Sequence, residues 1–184
     1  GVYAVSSMQE LAGWQPVLCR AVLSRLSRQG VEIWDYNSTY IDPTASVGPG
    51  SAILPGTILR GNTSIGKNCT IGPNAYLENA KIGDNTTVNA SQIYNASVGY
   101  DSRIGPFAYV RPGSAIGNHV KIGDFTEIKN AAIDDGSVVS RLSYVGDSDV
   151  GKNVTFGAGA GTANFDRARK YRTAVQDGAF IGCN

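Results

Sequence analysis

The sequence is poor in the residues that mark several common protein classes. It has 1 His, 3 Cys and 17% charged residues, and its formal net charge is +1. A charge this close to zero gives no broad attraction for nucleic acid or for an anionic membrane, so any basic site must be local. No stretch is long and apolar enough to predict a membrane span or a signal peptide. We therefore expect neither nucleic acid nor a membrane as a partner.

The cysteines form no pattern for a disulfide framework or a zinc site. Cys19, Cys69 and Cys183 are odd in number and widely spaced, without a CxxC pair. This usage predicts reduced thiols in a cytoplasmic protein, and we expect no metal in this chain. The one histidine, His119, lies inside a repeat, and we expect it to occupy a turn.

What the sequence has instead is a period of six residues. Between Val47 and Phe156 an aliphatic residue recurs with a step of six, often followed by Gly, and after slips of one residue the phase resumes at Val98. Such hexapeptide repeats are the signature of a β-helix. A helix needs apolar spacing near 3.6 and an ordinary strand needs alternation, so neither predicts a long run at six. The alternative fold is a glycine-rich all-β sandwich with turns at short, regular intervals.

The repeat also predicts how each coil is built. Each hexad makes one short strand and one turn, three hexads make one triangular coil, and coils stack at about 4.8 Å. The leading aliphatic points inward. The fifth position also faces inward and must be small, as at Ser51, Thr57, Cys69, Ala75, Ala108 and Ser114. The predicted fold class is all-β, a left-handed parallel β-helix of hexapeptide repeats with an N-terminal α-helix.

The α-helix precedes the repeat. Ser7 and Glu10 fit a capping box, and a mostly apolar stripe continues to about Gln29. Gly30 suits the C′ position that ends a helix. Pro16 lacks a backbone donor, so it should kink the helix or delay its start.

We divide the chain into an N-terminal linker helix arm, 1–40, and a β-helix domain, 41–184, which we expect to be C-terminally truncated. A protruding loop is predicted near 162–173, because 164–172 is too polar and charged for a coil wall. This loop either reaches an anionic ligand or a neighbouring subunit, or it is a solvated insertion. The small-residue run Gly157–Gly161 either lets a ligand chain lie close to the backbone or is merely a crowded corner.

Several stretches carry a resemblance to a known family. They are 105–113 (GPFAYVRPG), 123–130 (GDFTEIKN), 142–147 (LSYVGD), and the small-residue run followed by Asn164-Phe165-Asp166 and Lys170. Their order and spacing resemble the bifunctional bacterial N-acetylglucosamine-1-phosphate uridylyltransferase/glucosamine-1-phosphate acetyltransferases. The resemblance covers nearly the whole chain, and the N-terminal helix is similar to that family's interdomain arm. By comparison, the N-terminal nucleotidyltransferase domain and the last coils are missing.

The resemblance implies an acetyltransferase-like domain at 41–184 and a homotrimer. The implied reaction is acetyl transfer from acetyl-CoA to the amine of glucosamine-1-phosphate, in UDP-N-acetylglucosamine and peptidoglycan synthesis. Arg111 and Lys129 would hold the sugar phosphate, with Lys170 reaching it from a neighbouring subunit, and cationic side chains suit that anion. The implied substrate-binding positions are Arg111, Glu127, Lys129, Tyr144, Thr155, Asn164 and Lys170, and the implied acetyl-CoA positions are Ala158 and Cys183.

One geometric prediction does not depend on the resemblance. Arg111 and Lys129 are one turn of three hexads apart, which predicts that they lie on the same face of the β-helix in neighbouring coils. Two cations this close repel unless an anion lies between them. Glu127 or a phosphate could supply that anion.

The departures from the family pattern bear on activity. Arg141 stands where that family has its general-base His, and arginine stays protonated, so it cannot accept a proton from an ammonium nucleophile. Thr155 replaces a sugar-contacting Asn, and Cys183 replaces a Ser near the thioester. Phe165 and Arg167 replace a Tyr and a Gly. Residues 1–4 lack the Asn that serves metal binding in the uridylyl site, so uridylyltransferase activity is not expected.

Three functions stay open. The first is an acetyltransferase of this family, impaired by Arg141. The second is a catalytically inactive β-helix that binds sugar phosphate or CoA, and the third is a structural trimerisation module. Arg141 favours the second over a normal enzyme, whereas the retained Arg111, Lys129, Tyr144 and Lys170 argue against the third.

Overall fold

The structure, a computed structural model, describes residues 4–183, and within them the chain is a parallel β-helix with one α-helix at its N-terminal end. The predicted fold class is confirmed. The helix α1 is Met8–Arg28. The strands, in chain order, are β1 Glu32–Ile33, β2 Tyr40–Ile41, β3 Ser46–Val47, β4 Ala52–Ile53, β5 Ile58–Arg60, β6 Ser64–Ile65, β7 Thr70–Ile71, β8 Tyr76–Glu78, β9 Lys81–Ile82, β10 Thr87–Val88, β11 Gln92–Tyr94, β12 Ser97–Val98, β13 Arg103–Ile104, β14 Tyr109–Val110, β15 Ala115–Ile116, β16 Lys121–Ile122, β17 Glu127–Lys129, β18 Ala132–Ile133, β19 Val138–Val139, β20 Tyr144–Gly146, β21 Ser148–Val150, β22 Thr155–Phe156, β23 Thr173–Val175 and β24 Phe180–Ile181.

The strands form three parallel sheets, one on each side of the prism. The first sheet runs β1-β4-β7-β10-β13-β16-β19-β22-β24, the second β2-β5-β8-β11-β14-β17-β20, and the third β23-β21-β18-β15-β12-β9-β6-β3. Neighbours in each sheet come from successive coils: Tyr40 pairs with Ile58, and Ile58 pairs with Tyr76. Each of these steps along the chain is one coil of three hexads, as the repeat requires. Where the six-residue phase of the sequence slips, the step between paired residues is shorter than three hexads. Thr70 pairs with Thr87 at one such slip.

The interior of the prism holds the residues that the repeat predicts. The leading aliphatics Ile53, Leu59 and Ile71 are each 0% exposed, and the small fifth-position residues are buried as well. These small residues also join coils. The Ser51 hydroxyl donates to the Gly66 carbonyl at 2.9 Å and accepts from the Cys69 N–H at 2.9 Å. A buried hydroxyl is tolerated there because both of its hydrogen-bonding roles are satisfied.

The N-terminal helix begins where the capping box places it. The Ser7 hydroxyl accepts from the Glu10 N–H at 3.2 Å, and the Glu10 carboxylate accepts from the Ser6 N–H at 2.8 Å. The predicted delay of the helix start by Pro16 is wrong. The helix starts at Met8 and contains Pro16 in its interior, because the capping contacts hold the first turn without any help from residue 16.

The coils begin before residue 41, where the sequence places the domain boundary. Strand β1 pairs with β4, with Glu32 opposite Ala52. The helix residues Leu23 and Leu26 are buried in the same cluster as Val31 and Ile41, so helix and first coil share one core. The division into an arm at 1–40 and a β-helix domain at 41–184 stays a prediction. Residues 1–3 and 184, which include most of the N-terminal stretch compared with the uridylyl site, lie outside the described residues.

A loop interrupts the last complete coil. In the third sheet Ala132 pairs with Asp149 in the ordinary step from one coil to the next, but Asp149 pairs with Ala174, which is a much longer step along the chain. The extra residues leave the prism after Gly161 and return at Thr173. Within residues 4–183, no helix combines the length and the apolar composition that a membrane span needs.

Candidate functional site

The outer face of the second sheet brings the predicted cations together. Val110 and Ile128 are paired in β14 and β17 and are both 0% exposed, so the residues that follow them, Arg111 and Lys129, point outward side by side. The Arg111 N–H donates to the Ile128 carbonyl at 2.8 Å, which fixes this register. The prediction that the two cations lie on the same face in neighbouring coils is confirmed.

Glu127 is the counter-ion of Arg111. The Arg111 guanidinium donates from Nη1 to Glu127 Oε1 at 2.8 Å, and this hydrogen bond raises the pKa of Arg111. The guanidinium carbon also lies 5.8 Å from the centre of the Tyr109 ring, within reach of a cation–π contact. Both partners of the ion pair are about one-third exposed, so solvent screens the pair and a ligand can reach it.

Lys170 comes to the same place from the loop. The charge of Lys170 is the main reason that the pKa of Lys129 is lowered. Asp147 opposes the effect, and Arg111 adds to it. The resemblance implies that Lys170 acts from a neighbouring subunit. That role of Lys170 stays a prediction.

Asp147 links the sheet to the loop, and the sequence analysis missed this role. Its carboxylate accepts from Asn130 Nδ2 at 2.7 Å and from Asn164 Nδ2 at 3.0 Å. These two hydrogen bonds, the one from Asn130 first, lower the pKa of Asp147. Asn164 is therefore held through Asp147 at the edge of the cation cluster. Asp147 is the last residue of the LSYVGD stretch. The sequence analysis used that stretch only as part of the family resemblance and assigned Asp147 no role.

The loop is a small hairpin rather than an open insertion. Phe165 and Lys170 form an antiparallel bridge, and the Tyr171 N–H donates to the Asn164 carbonyl at 2.8 Å. Asp166 Oδ1 accepts from the backbone N–H groups of Ala168 and Arg169, which closes the tip, and these bonds lower the pKa of Asp166. Residues 165–172 are all exposed, so both interpretations of the loop, a ligand or subunit contact and a solvated insertion, stay open.

Arg172 anchors the exit of the loop. Its guanidinium donates to both carboxylate oxygens of Asp149, at 2.5 and 2.6 Å, and to the carbonyls of Asn130 and Ser148 at 3.1 Å each. The hydrogen bond between Arg172 and Asp149 lowers the pKa of Asp149. Paired hydrogen bonds of this kind fix orientation as well as position. No pattern in the sequence predicted this contact, because the loop has no repeat.

Arg141 lies at the corner between the first and second sheets, at one edge of the cation-bearing face. It occupies the exposed turn between β19 and β20, and its carbonyl accepts from the Gly159 N–H at 3.1 Å. Below it, Gly123 leaves no room for a side chain, since an added Cβ would lie 2.8 Å from the Arg141 nitrogen. Tyr144 follows on β20, and its hydroxyl and ring extend along the strand over Gly146.

The remaining predicted positions lie on this corner or beyond it. Ala158 is half-buried in the coil above Arg141, and Cys183 is exposed in the coil after that, since an added Cβ at Gly157 would meet the Cys183 nitrogen at 2.6 Å. Thr155 lies on β22 of the first sheet, so the structure does not bring it to the face that carries Tyr144. Arg111, Glu127, Lys129, Tyr144, Asn164 and Lys170 are brought together.

An apolar column borders this face and was not anticipated. Phe107, Phe125 and Leu142 are each more than half exposed and have positive φ, 58°, 53° and 58°. The rings of Phe107 and Phe125 stack with centroids 5.2 Å apart. Bulky residues rarely adopt this backbone conformation.

Within residues 4–183 no group of three or more His, Cys, Asp or Glu residues is placed to hold a metal ion.

Comparisons with known proteins agree with this architecture. The family profile described as bacterial transferase hexapeptide (six repeats) matches residues 44–79, 62–91 and 95–130. Proteins named bifunctional protein GlmU match the entire chain, at 44% identity in Acetivibrio thermocellus and 42% in Alkaliphilus metalliredigens, over 183 residues each. The GlmU protein of Brevibacillus brevis is 62% identical over 79 residues, 43% of this chain and 17% of its own length.

The chain spans 40% of the length of the two relatives that match it throughout. Among solved structures, the UDP-N-acetylglucosamine O-acyltransferase (LpxA) of Moraxella catarrhalis matches with a TM-score of 0.66 and 18% identity, over 81% of this chain and 66% of that one. At this identity the match supports the shared β-helix fold alone.

Proposed function

We propose that the chain is a hexapeptide-repeat transferase and corresponds to the C-terminal acyltransferase region of bifunctional GlmU proteins, to which it is similar over its whole length. The proposed reaction is transfer of the acetyl group of acetyl-CoA to the amine of glucosamine-1-phosphate, a step toward UDP-N-acetylglucosamine. The proposed assembly is a homotrimer. We place the activity in the cytoplasm, where reduced cysteines such as Cys19, Cys69 and Cys183 are expected.

The observation that carries this proposal is the convergence of three cations on one sheet face. Arg111 and Lys170 both lower the pKa of Lys129, and the carboxylates that act on this group of cations are those of Glu127 and Asp147. One carboxylate is bound by Arg111 and the other by two amides. The repulsion between Lys129 and Lys170 is therefore left for a ligand to relieve. A phosphate monoester has the charge and the acceptor oxygens for that role.

The sugar would extend from the phosphate toward the corner. Tyr144 lies between Lys129 and Arg141 along β20 and offers an aromatic face and a hydroxyl to the ring. The acceptor amine would then lie near Arg141. Arg141 cannot take the proton that the ammonium must lose before it attacks.

The acyl donor would lie along the small-residue edge above Arg141. A side-chain carbon added at Gly161 would meet nothing within 4 Å, and Ala158 and Gly159 are only half-buried. A backbone this bare fits the extended pantetheine arm of acetyl-CoA. Acetyl-CoA supplies the thioester, and this chain's residues serve only to align it with the amine. Cys183, one coil further, is exposed next to the same edge.

Arg141 makes impaired turnover part of the proposal. A positioned general base contributes about 10²- to 10⁴-fold to a rate. Without one, the proton would pass to solvent, and the cation at residue 141 would repel the ammonium form of the substrate. The same observation favours a second candidate function, a β-helix that binds sugar phosphate or CoA without turnover.

Two measurements on the same preparation test the proposal. Calorimetric titration with glucosamine-1-phosphate should show binding, and a thiol-release assay with acetyl-CoA should show slow turnover. Binding without turnover at any enzyme concentration would select the second candidate. Titrations that show binding of neither glucosamine-1-phosphate nor CoA would refute both.

A further inference from the structure

We propose that Asp147 is a positioning residue, which fixes the side-chain amide of Asn164 so that the amide oxygen, and not the nitrogen, is presented to a bound substrate. The substrate group recognised there is an N–H or O–H donor. This second part rests on the proposed function, whereas the pairing of Asp147 with Asn164 does not. The inference is the same whether Asn164 serves the site of its own subunit or that of a neighbour.

Asp147 is itself held by the coil and by the end of the loop. Its N–H donates to the Lys129 carbonyl at 2.8 Å in the coil below, and its carbonyl accepts from the Thr173 N–H at 3.0 Å. Its φ is 48°, a conformation in which Asp and Asn are enriched among residues other than glycine. One carboxylate oxygen accepts from Asn130 at 2.7 Å, and the other accepts from Asn164 at 3.0 Å. The carboxylate is therefore a fixed point against which the loop can be set.

The start of the loop is bound to the same short segment of chain. The Thr162 hydroxyl accepts from the Gly146 N–H at 2.9 Å and donates to the Gly146 carbonyl at 3.0 Å. Two residues later, Asn164 reaches Asp147. The backbone and the side chain at the base of the loop are thus both fixed relative to β20.

The chemistry of a carboxylate decides which way the Asn164 amide faces. A carboxylate only accepts hydrogen bonds, whereas a side-chain amide donates from its nitrogen and accepts at its oxygen. Asn164 must therefore turn Nδ2 toward Asp147, and Oδ1 then lies on the other side of the amide. Within the described residues, 4–183, Oδ1 accepts no hydrogen bond, and Asn164 is only half-buried. This oxygen is an acceptor open to a ligand.

Both proposed substrates carry donors that could meet this oxygen. Glucosamine-1-phosphate has an amine and hydroxyl groups, and the pantetheine arm of acetyl-CoA has amide N–H groups. The shared chemistry is a hydrogen-bond donor, and separate titrations with the two compounds distinguish the sources.

A donor–acceptor swap tests the pairing without any ligand. Asn164→Asp sets two carboxylates against each other, so we expect trypsin to cut the loop after the exposed Arg167 and Arg169 about fivefold faster than in the parent. In Asp147→Asn/Asn164→Asp the roles are exchanged, because residue 147 then donates to the carboxylate at 164 and still accepts from Asn130. The cutting rate should return close to that of the parent. A double variant cut as fast as Asn164→Asp would overturn the pairing.

Two probes, glucosamine-1-phosphate and CoA, test the role of the oxygen by calorimetric titration. Asn164→Leu removes the acceptor, and we expect the affinity for one probe to fall about tenfold. The probe that weakens identifies the source of the donor. The swapped double variant keeps an acceptor oxygen at residue 164 and should recover most of that affinity. Parent-like binding of both probes by Asn164→Leu, or a double variant as weak as Asn164→Leu, would overturn the acceptor role.

Asp101→Asn is the matched control. Asp101 also has a positive φ, 54°, but it lies in the turn between β12 and β13, away from the loop. It should change neither the cutting rate nor either affinity. A merely structural role for Asp147 would lower thermal stability in Asp147→Asn without any rescue by the swap. A parent protein that binds neither probe would refute the proposed function and the acceptor role together, and proteolysis would still decide the pairing.

Discussion

Arg111 on one coil and Glu127 on the next are joined by a hydrogen bond of 2.8 Å between Nη1 and Oε1, whereas the pKa of Lys129, beside this pair, is lowered chiefly by Lys170. One cation of the face is thus neutralised in place, whereas the two lysines repel each other. This charge pattern is the basis on which we propose the face as an anion site.

Removing the guanidinium should weaken phosphate binding. We expect Arg111→Gln to lower the affinity for glucosamine-1-phosphate about tenfold, because a charge-assisted hydrogen bond to the ligand is lost from a partly screened site. The measurement is calorimetric titration at constant ionic strength. Arg103→Gln, on the first sheet and equally cationic, is the control. Equal losses in the two variants would mean that only net charge matters.

Restoring a base at residue 141 should restore turnover. We expect Arg141→His to raise kcat/KM by at least about tenfold, since a positioned base contributes about 10²- to 10⁴-fold. Thr155 and Cys183 also depart from the family pattern, so recovery should stay incomplete. Arg141→Gln removes the cation without supplying a base, and it separates the two effects. A His variant no faster than the Gln variant would show that residue 141 is not the base position.

Binding should take up protons at alkaline pH. The pKa of Lys129 is lowered by Lys170, so its protonated form is disfavoured in the free protein, and this cost is relieved as the pH rises through the lowered pKa toward the ordinary value of 10.5. A bound phosphate favours the protonated form and so raises the pKa. We expect proton uptake on binding between neutral pH and 10.5, and little uptake at pH 7. Titrations in buffers of different ionisation enthalpy measure it. Lys170→Met should abolish the alkaline uptake, and uptake that persists unchanged would exclude the lysine contact as its source.

The small inward positions should not tolerate larger side chains. Ala108 is 2% exposed inside the prism, so we expect Ala108→Leu to lower the free energy of unfolding by about 1–3 kcal/mol through overpacking. Ala115→Leu, on the exposed outer face of β15, should change it little. Urea unfolding of both variants gives the comparison. If Ala108→Leu lowered the free energy of unfolding no more than Ala115→Leu does, the assignment of residue 108 to the interior would be contradicted.

The protein should be a trimer in solution. Sedimentation velocity and light scattering at tens of micromolar subunit should give three times the mass of one chain, as the repeat type implies. A stable monomer would reject the trimer.

The period of six allowed the interior to be predicted residue by residue. Because every hexad presents the same two positions inward, the burial of Ile53, Leu59 and Ala108 follows from counting along the chain. The same counting placed Arg111 beside Lys129. The period of six gives no strand before Val47, and there the structure adds β1, which pairs with β4, while Val31 joins the core that α1 shares with the first coil.

The sequence by itself thus determined the coil, its inward residues and which cations share a face, since these are local consequences of a regular repeat. Only the tertiary structure decided where the loop goes. Arg172 binds Asp149 and Asn164 binds Asp147, and no period of the repeat relates either pair. The structure also placed Thr155 on a different sheet from Tyr144, although the two lie close together in the sequence. The physical reason is the same in both cases: a repeat fixes which residues face outward, but contacts outside the repeat decide which outward residues meet.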